Sequence, residues 1–542
     1  MANAKDLFSA LWAAADEMRA KMSADAYKDY LLGLVFYKSL SDKYLAKVAD
    51  ELENRKDMPI AEAQKLYEKI EKEGGDDWTD ICQELQDSFG CFIRPEYTFC
   101  AFYNQINSSE FRLENLKQAF REVEKSQGAT YDGLFDDFDI QSKDLGKTPM
   151  ECNMTISAVI KALADINFSE YGDDALGDAY EYLIAQFASE SGKKAGEFYT
   201  PQAVSRIIAK IVTSGREKKE GFSIYDPCCG SGSLLLQVKS CMFKEGQKDF
   251  GKFVQFFGQE INNQTYNLAR MNMMLHQISP QNQHLNNGDT LSTDWPVDEP
   301  TNFDACAMNP PYSLKWNALD SLLTDNRFQH YEKLAPKSTA DYAFLLHGFY
   351  HLKTDGVMGI VLPHGVLFRG AAEGVIRKHL VEDGSIYAVI GLPAGLFFNT
   401  GIPTCIIILK KNNTDRDILF IDASNDFVKE KAKNYLTEEH IEKILKAYTE
   451  RKDIEKYAHL ASFEEIKEND YNLNIPRYVD TSEEEEQIDL SSEFNALYQI
   501  EAESGKITEE INSALKELGI ENGFTSSSKE ENKSFFGKIF GK

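Results

Sequence analysis

Apolar positions follow a helical period in the first part of the chain and short strand-like runs further on. Five apolar residues of the first part fall on one helical face: Leu31, Leu34, Val35, Leu40 and Tyr44. Short apolar runs and amphipathic stretches then alternate, which favours a doubly wound α/β sheet. The last part opens with four consecutive glutamates and continues as an apolar stripe at helical spacing. We therefore expect a helical domain over 1–160, an α/β domain over 165–480 and an acidic helical region over 481–542.

Several apolar runs are short enough to be strands of the sheet. We expect strands at Phe222–Tyr225, Phe253–Phe257, Phe303–Met308, Gly356–Pro363, Ile386–Leu392 and Thr404–Leu409. The last two are predicted to form an antiparallel hairpin that closes the sheet. About 130 residues follow them, and we expect these to be helical and acidic. Asp76 is a plausible helix start in the first part of the chain.

A glycine turn follows the first predicted strand: Asp226-Pro227-Cys228-Cys229-Gly230-Ser231-Gly232-Ser233. A helical stretch follows the turn, and strand, glycine turn and helix form nucleotide-type binding sites. Gly230 and Gly232 let the backbone approach a ligand closely, and Asp226 can receive an amine or a hydroxyl. The turn lacks the Lys-Ser/Thr ending of a P-loop and a third glycine at dinucleotide spacing, which disfavours ATP, GTP and NAD. Cys228 and Cys229 are expected to be small packing residues of the turn.

The tetrapeptide Asn309-Pro310-Pro311-Tyr312 follows another predicted strand, Phe303–Met308. The Asn309 side-chain oxygen and the Pro310 carbonyl can each accept one hydrogen of an exocyclic amine. The two prolines hold the backbone rigid, and Tyr312 can stack on a ring. The tetrapeptide therefore predicts a clamp for a planar ring that carries an amine.

Composition limits the remaining possibilities. The formal net charge of −28 repels phosphate, so binding to DNA requires a locally basic face or a partner that supplies affinity. Nine scattered cysteines without a Cys-x-x-Cys pair indicate reduced thiols, and no apolar run is long enough to span a bilayer, so we expect a cytoplasmic protein. His347 and His351 share helical spacing, but no further ligands accompany them, so no metal site is predicted.

The glycine turn and the Asn-Pro-Pro-Tyr clamp, in this order, resemble those of S-adenosylmethionine-dependent amino-methyltransferases. Further segments resemble one family, the modification (M) subunits of type I restriction–modification systems, which are N6-adenine DNA methyltransferases. These segments are Leu11–Arg19, Tyr27–Leu34, Asp178–Leu183, Gly192–Pro201, Ala340–Phe344 and Tyr471–Tyr478. The resemblance covers residues 1 to about 480. Ser233 is a departure, since a third glycine is frequent there in the family.

The resemblance implies a Rossmann-like methyltransferase sheet with a helical front domain and a helical tail. It implies that Glu260 bonds the cofactor ribose, that Asp289 contacts the cofactor adenine, and that Phe198 and Thr200 lie near its methionine end. The catalytic residues that it implies are Asn309, Pro310, Pro311 and Tyr312. The cofactor residues that it implies are Phe198, Tyr199, Thr200, Pro201, Asp226, Cys229, Gly230, Ser231, Gly232, Glu260, Asp289 and Asn309.

The implied reaction is methyl transfer from S-adenosylmethionine to the N6 amine of a flipped adenine in DNA. The chain has no large separate region suited to target recognition, which agrees with specificity from a partner. The resemblance implies two copies of this chain with one specificity subunit, and a restriction subunit that can join. The apolar stripe of 481–542 can dock on its own protein or on another subunit, and the resemblance favours the specificity subunit. Three alternatives remain open: a protein glutamine methyltransferase, a self-sufficient DNA methyltransferase and a non-catalytic scaffold.

Overall fold

The structure is a computed structural model. It describes residues 4–19, 22–125, 130–171, 173–190, 200–242, 254–292, 294–296, 302–397, 401–430, 433–481 and 489–520. The chain divides into two compact units, Met1–Asp480 and Thr481–Lys542. Within the described ranges, no helix has both the length and the apolar character that crossing a bilayer requires.

The front of the first unit is helical and has its own apolar core. Its helices are α1 (Ala4–Ala14), α2 (Asp16–Arg19), α3 (Ala24–Glu53), α4 (Ile60–Glu73), α5 (Asp76–Phe89), α6 (Phe99–Asn107), α7 (Leu113–Glu124), α8 (Pro149–Ala164) and α9 (Asp173–Glu190). The predicted apolar face lies on α3, and all five of its residues are buried. The predicted helix start at Asp76 is confirmed, and α5 is followed by Gly90 in the left-handed region at φ 70°.

A nine-stranded sheet forms the rest of the first unit, in the order β11-β8-β6-β7-β5-β4-β1-β2-β3. Its strands are β1 (Phe222–Asp226), β2 (Val254–Glu260), β3 (Gln283–Asn287), β4 (Phe303–Met308), β5 (Leu352–Pro363), β6 (Ile386–Gly391), β7 (Thr404–Lys410), β8 (Ile418–Asp422) and β11 (Ala458–Ala461). A separate hairpin contains β9 (Val428–Glu430) and β10 (Lys433–Tyr435). Five neighbouring strands of the sheet run parallel, in the order β3-β2-β1-β4-β5. This confirms the predicted fold class.

Helices cover both faces of the sheet, and each face has an apolar core. They are α10 (Gln202–Thr213), α11 (Ser233–Met242), α12 (Asn263–Leu275), α13 (Asp341–Tyr350), α14 (Ala371–Glu382), α15 (Glu438–Glu450) and α16 (Phe463–Glu468). Every residue of β1 and β4 is buried, because these two strands lie inside the sheet and between helical layers. Ligand sites of such sheets lie at the carboxyl ends of the strands.

Helix α12 also belongs to the core of the front helices, through Leu268, Met271 and Leu275. Arg270, which is 6% exposed, donates to the carbonyls of Asp132 at 2.8 Å and Thr130 at 2.9 Å. The front helices and the sheet are therefore joined through a helix that begins just after β2.

Two expectations about the far side of the sheet are corrected. Strands β6 and β7 do pair antiparallel, but β7 lies between β5 and β6, so the pair does not close the sheet. The chain after β7 is not only helical, because β8 and β11 extend the sheet beyond β6. Strand β2 ends at Glu260, the acid that the sequence places at the end of this strand.

The second unit contains one long helix, α17 (Leu490–Glu517). Its apolar residues are largely exposed, with Leu497 at 43%, Ile500 at 63% and Ile507 at 56%. Asp489 caps the helix by accepting from the Ser491 amide at 3.0 Å. The predicted helical stripe is therefore present in the tail.

Candidate active site

The sheet order places the carboxyl ends of β4, β1, β2 and β3 next to one another. Asp226, at the end of β1, is in register with Gly258 of β2, and Tyr225 is in register with Cys306 of β4. The glycine turn follows β1, and the clamp follows β4. These two sequence features are far apart in the chain, yet the strands that carry them are neighbours.

The glycine turn is held by backbone hydrogen bonds. The Cys229 amide donates to the Gln259 carbonyl at 2.9 Å, and the Gly232 amide donates to the Cys229 carbonyl at 2.8 Å. Gly230 and Gly232 have φ values of 54° and 79°, in the left-handed region that favours glycine. A Cβ built on Gly258 would lie 3.0 Å from the Cys229 Sγ, so the turn packs directly on β2. Burial raises the pKa of the Cys229 thiol well above its usual value, which fits a packing role.

Two carboxyl groups line this turn. Asp226 is 2% exposed, its Oδ1 accepts from the Cys228 amide at 2.9 Å, and burial raises its pKa to about 8. Glu260 accepts from the amides of Asn262 at 2.8 Å and Gly230 at 3.2 Å, and burial raises its pKa as well. No cation contributes to either shift among the described residues. The pair therefore favours a ligand that brings hydroxyl donors or positive charge.

The loop after β3 is tied to the glycine turn. The Thr290 hydroxyl donates to the Pro227 carbonyl at 2.5 Å, and Arg327 Nη1 donates to the Thr290 carbonyl at 3.1 Å. Asp289 Oδ1 accepts from the Leu291 amide at 3.0 Å, which fixes the bend of the loop. Asp289 thus follows β3 at the same edge of the sheet as Glu260 of β2.

Asn309 of the clamp is 6% exposed and has two side-chain partners. Its Nδ2 donates to the Thr200 Oγ1 at 3.1 Å, and its Oδ1 accepts from the Tyr312 hydroxyl at 2.6 Å. The half-buried Tyr312 ring also meets Phe397 edge to face, with centroids 6.0 Å apart. Nothing in the described part of the chain donates to the Pro310 carbonyl. One of the two predicted amine acceptors is therefore available, and the other is held by Tyr312.

The predicted cofactor residues differ in how far the structure describes them. Phe198 and Tyr199 lie outside the described residues. Pro201 precedes the first turn of α10, next to Thr200. Ser231 is 2% exposed, and its Oγ has no hydrogen-bond partner among the described residues. An unsatisfied buried hydroxyl in the glycine turn fits a bound ligand better than a filled core.

Sequence reasoning missed a buried carboxyl beneath the turn. Glu181 on α9 is 2% exposed and accepts a hydrogen bond from the Ser233 hydroxyl, at the first residue of α11. Burial raises the pKa of Glu181 to about 7, and the neighbouring Asp178 raises it further. Ser233 stands where the family frequently has glycine, and that departure was the available signal.

A polar cluster of two buried histidines and a partly exposed aspartate lies near Tyr225. Potential ligand atoms of Asp294, His347 and His351 lie within 4.8 Å of one another. His347 contacts the Tyr225 hydroxyl through Nε2 at 2.9 Å and Arg327 Nη1 through Nδ1 at 3.2 Å. The permanently charged guanidinium opposes a metal ion at this position. Arg327 also holds the Thr290 carbonyl, so the cluster supports the loop after β3.

Comparison with known proteins adds independent information. The N-6 DNA methylase family model matches residues 171–487, and the HsdM N-terminal domain model matches residues 7–163. The methylase subunit of the type I restriction enzyme MpnII from Mycoplasma pneumoniae is 34% identical over 537 residues, which cover 94% of this chain and 96% of that protein. The chain belongs to the methylase subunits of type I restriction enzymes.

Two further members of this methylase-subunit family support the assignment. The MjaVIII methylase subunit of Methanocaldococcus jannaschii is 32% identical, over 92% of this chain and 83% of that protein. The crystal structure of a type I methyltransferase subunit from Streptococcus thermophilus is 55% identical, with a TM-score of 0.85 over 88% of this chain and 100% of that one. The family resemblance inferred from the sequence is confirmed.

Proposed function

We propose that this methylase subunit transfers a methyl group from S-adenosylmethionine to the N6 amine of an adenine flipped out of duplex DNA. The observation that carries the proposal is the pairing of β1 with β4. It brings the glycine turn beside the clamp. Among the described residues, no cation contributes to the pKa shifts of the two carboxyl groups of the turn, and no group donates to the Pro310 carbonyl of the clamp.

The residues around the turn fit S-adenosylmethionine, which supplies an activated methyl group on a sulfonium. Asp226 is suited to a cationic amine or a hydroxyl, and Glu260 is suited to the ribose hydroxyls. Asp289, in the loop after β3, is assigned to the cofactor adenine. Thr200, with Phe198, Tyr199 and Pro201, is assigned to the methionine end. The turn residues Cys229, Gly230, Ser231 and Gly232 provide backbone close to the ligand.

The clamp accounts for the activation of a poor nucleophile. Asn309 Oδ1 and the Pro310 carbonyl accept the two amine hydrogens, which favours pyramidal nitrogen and returns electron density to it. Pro310 and Pro311 keep the two acceptors at a fixed separation. Tyr312 releases Asn309 and stacks on the base, which must leave the duplex to be reached. Alignment then provides most of the rate, and no strong general base is required.

The charge of the chain bears on its partners. A net charge of −28 gives little affinity for DNA, so a specificity subunit is proposed to supply the target contacts. The exposed apolar residues of α17 are suited to docking on such a subunit. We propose two copies of this chain for each specificity subunit, a cytoplasmic complex, and a restriction subunit that can join it.

The test uses the complex isolated from its host through a tag on this chain. With radiolabelled S-adenosylmethionine, label is expected in N6-methyladenine of DNA that carries the site mapped by sequencing host DNA. Asn309→Ala is expected to lower transfer at least 100-fold while cofactor binding persists. Asn317→Ala, at an exposed position in the loop after the clamp, is the matched control and should retain activity. Label in protein glutamine, or full activity of Asn309→Ala, would contradict the proposal.

A further inference from the structure

The residue that follows the clamp has an unusual backbone. Ser313 has φ 55°, in the left-handed region that residues with a Cβ seldom adopt. Its amide donates to Oδ1 of Asp341 at 2.9 Å, although the two residues are 28 positions apart. The Ala340 amide donates to the Leu314 carbonyl at 2.9 Å, so the chain returns to the clamp at the start of α13. The start of α13 therefore holds the backbone just after Tyr312 in place through these two hydrogen bonds.

Asp341 is fully buried and is itself held in place. Its Oδ2 accepts from Arg369 Nη2 at 2.6 Å, and its side chain has 0% exposure. Arg369 also donates to the buried Glu373, from Nε at 2.5 Å and from Nη2 at 3.0 Å. One guanidinium thus joins two buried carboxylates, and only one of them reaches the clamp.

The turn after β5 is shaped to admit this guanidinium. A Cβ built on Gly365 would clash with Arg369 Nη1, so a larger residue there would displace the arginine. Arg377 donates to the carbonyls of Val366 at 3.1 Å and Arg369 at 2.8 Å, which fixes the same turn. The chain of contacts runs from α14 through Arg369 and Asp341 to the residue next to Tyr312.

We propose that Asp341 is a positioning residue for methyl transfer, because it fixes the backbone from which Tyr312 meets the target base. Arg369 orients Asp341 by donating to its second oxygen. The inference rests on the proposed function and adds a residue outside the clamp and the glycine turn.

The structure provides a matched pair of variants for the test. Asp341→Asn and Glu373→Gln each replace a carboxylate that contacts the Arg369 guanidinium with a neutral amide of the same size. Ser313 and Arg369 donate to different oxygens of Asp341, so in Asp341→Asn one of these two donors faces the amide NH2 group, which cannot accept a hydrogen bond. Glu373→Gln leaves the Ser313 contact intact. Both variants are compared with the wild-type complex in kcat, in KM for DNA, in cofactor affinity and in melting temperature.

Asp341→Asn is expected to lower kcat at least tenfold, and Glu373→Gln less than threefold, with cofactor affinity within twofold in both. A duplex with 2-aminopurine at the target position should fluoresce more strongly with Asp341→Asn, since the flipped base loses its stack on Tyr312. If the two variants lost kcat equally and lost melting temperature equally, the ion pairs of Arg369 would have a purely structural role, and the inference would be overturned. A wild-type complex that transfers no methyl group to adenine would instead refute the proposed function, and the positioning role with it.

Discussion

The Tyr312 hydroxyl donates to Asn309 Oδ1 at 2.6 Å, and this oxygen is one of the two proposed acceptors for the target amine. A base can enter the clamp only after this hydrogen bond is broken. The Pro310 carbonyl, by contrast, has no such competitor among the described residues. The two acceptors are therefore unequal before the base arrives.

Tyr312→Phe removes the competing donor and keeps the aromatic ring. We expect methyl transfer to remain within about threefold of wild type, because the stacking surface persists. Tyr312→Ala removes the ring, and a stacked base contributes about 1–3 kcal/mol, so transfer should fall roughly 5- to 150-fold. Steady-state kinetics on the mapped DNA site measure both. Equal losses for Phe and Ala would assign the role to the hydroxyl and not to the ring.

Gly232 tests the contact between the glycine turn and the cofactor. A Cβ built there meets Met273 at 3.7 Å, an ordinary contact, so the fold has room for a side chain. Its φ of 79° imposes strain of about 1–2 kcal/mol on any other residue. We expect Gly232→Val to weaken S-adenosylmethionine binding at least tenfold by calorimetry.

Gly221 is the matched control for that substitution. It precedes β1 with φ 66°, and a Cβ there meets nothing within 4 Å. Gly221→Val should therefore impose similar backbone strain and leave the affinity for the cofactor unchanged. Similar losses of affinity in the two variants would mean that strain alone, and not closeness to the ligand, explains the effect.

Asp226 gives the cofactor site a pH dependence. Burial raises its pKa to about 8, so the carboxyl is mostly protonated at pH 7. A cationic ligand stabilises the ionised form and lowers the pKa, so binding releases a proton. We expect affinity to rise by up to about tenfold from pH 6 to pH 7. Calorimetry in two buffers of different ionisation enthalpy measures the protons released.

Asp226→Asn is the control for this proton release. It should flatten the pH dependence of cofactor affinity. An unchanged slope in Asp226→Asn would show that Asp226 does not titrate on binding.

Glu181 gives the fold a separate pH dependence. Its pKa is about 7 in the folded chain, against an ordinary value of 4.5. Between pH 4.5 and pH 7, Glu181 is ionised in the unfolded chain but still protonated in the folded chain. Stability therefore falls as pH rises through this range and levels off above pH 7. Glu181→Gln lacks this pH dependence. Relative to wild type, its free energy of unfolding should therefore rise by up to about 3 kcal/mol between pH 4 and pH 8. Melting temperatures measure the difference. Asp178→Asn removes the neighbouring charge that also raises the pKa of Glu181, so it should show a smaller gain of the same sign.

The neighbouring positions of the turn and the clamp could be predicted from the sequence, because both follow buried strands. In a parallel sheet with helical crossovers, such strand ends meet at one edge. Asp226 and Asn309 could therefore be assigned to one site without coordinates, and the structure places their strands side by side.

Contacts between distant segments could not be predicted in the same way. The Asn309 amide contacts Thr200 across 109 positions, and Asp341 contacts the Ser313 amide across 28. Neither contact leaves a periodic or compositional signal. The short strands β8 and β11 were missed because runs of four or five residues with three or four apolar positions resemble helix ends as much as strands.

The two carbonyls that Arg270 holds have a consequence for how this family can diversify. The helix that begins beside Glu260 donates to the loop at 130–133 through Asn267 and Arg270, in addition to packing on its own sheet. A recombinant that takes its front region from one relative and its sheet from another would break that match at Arg270. Successful chimaeras are therefore expected to inherit the 130–133 loop and α12 from the same parent, so the inherited block is defined by contact in space and not by the linear boundary between the two regions.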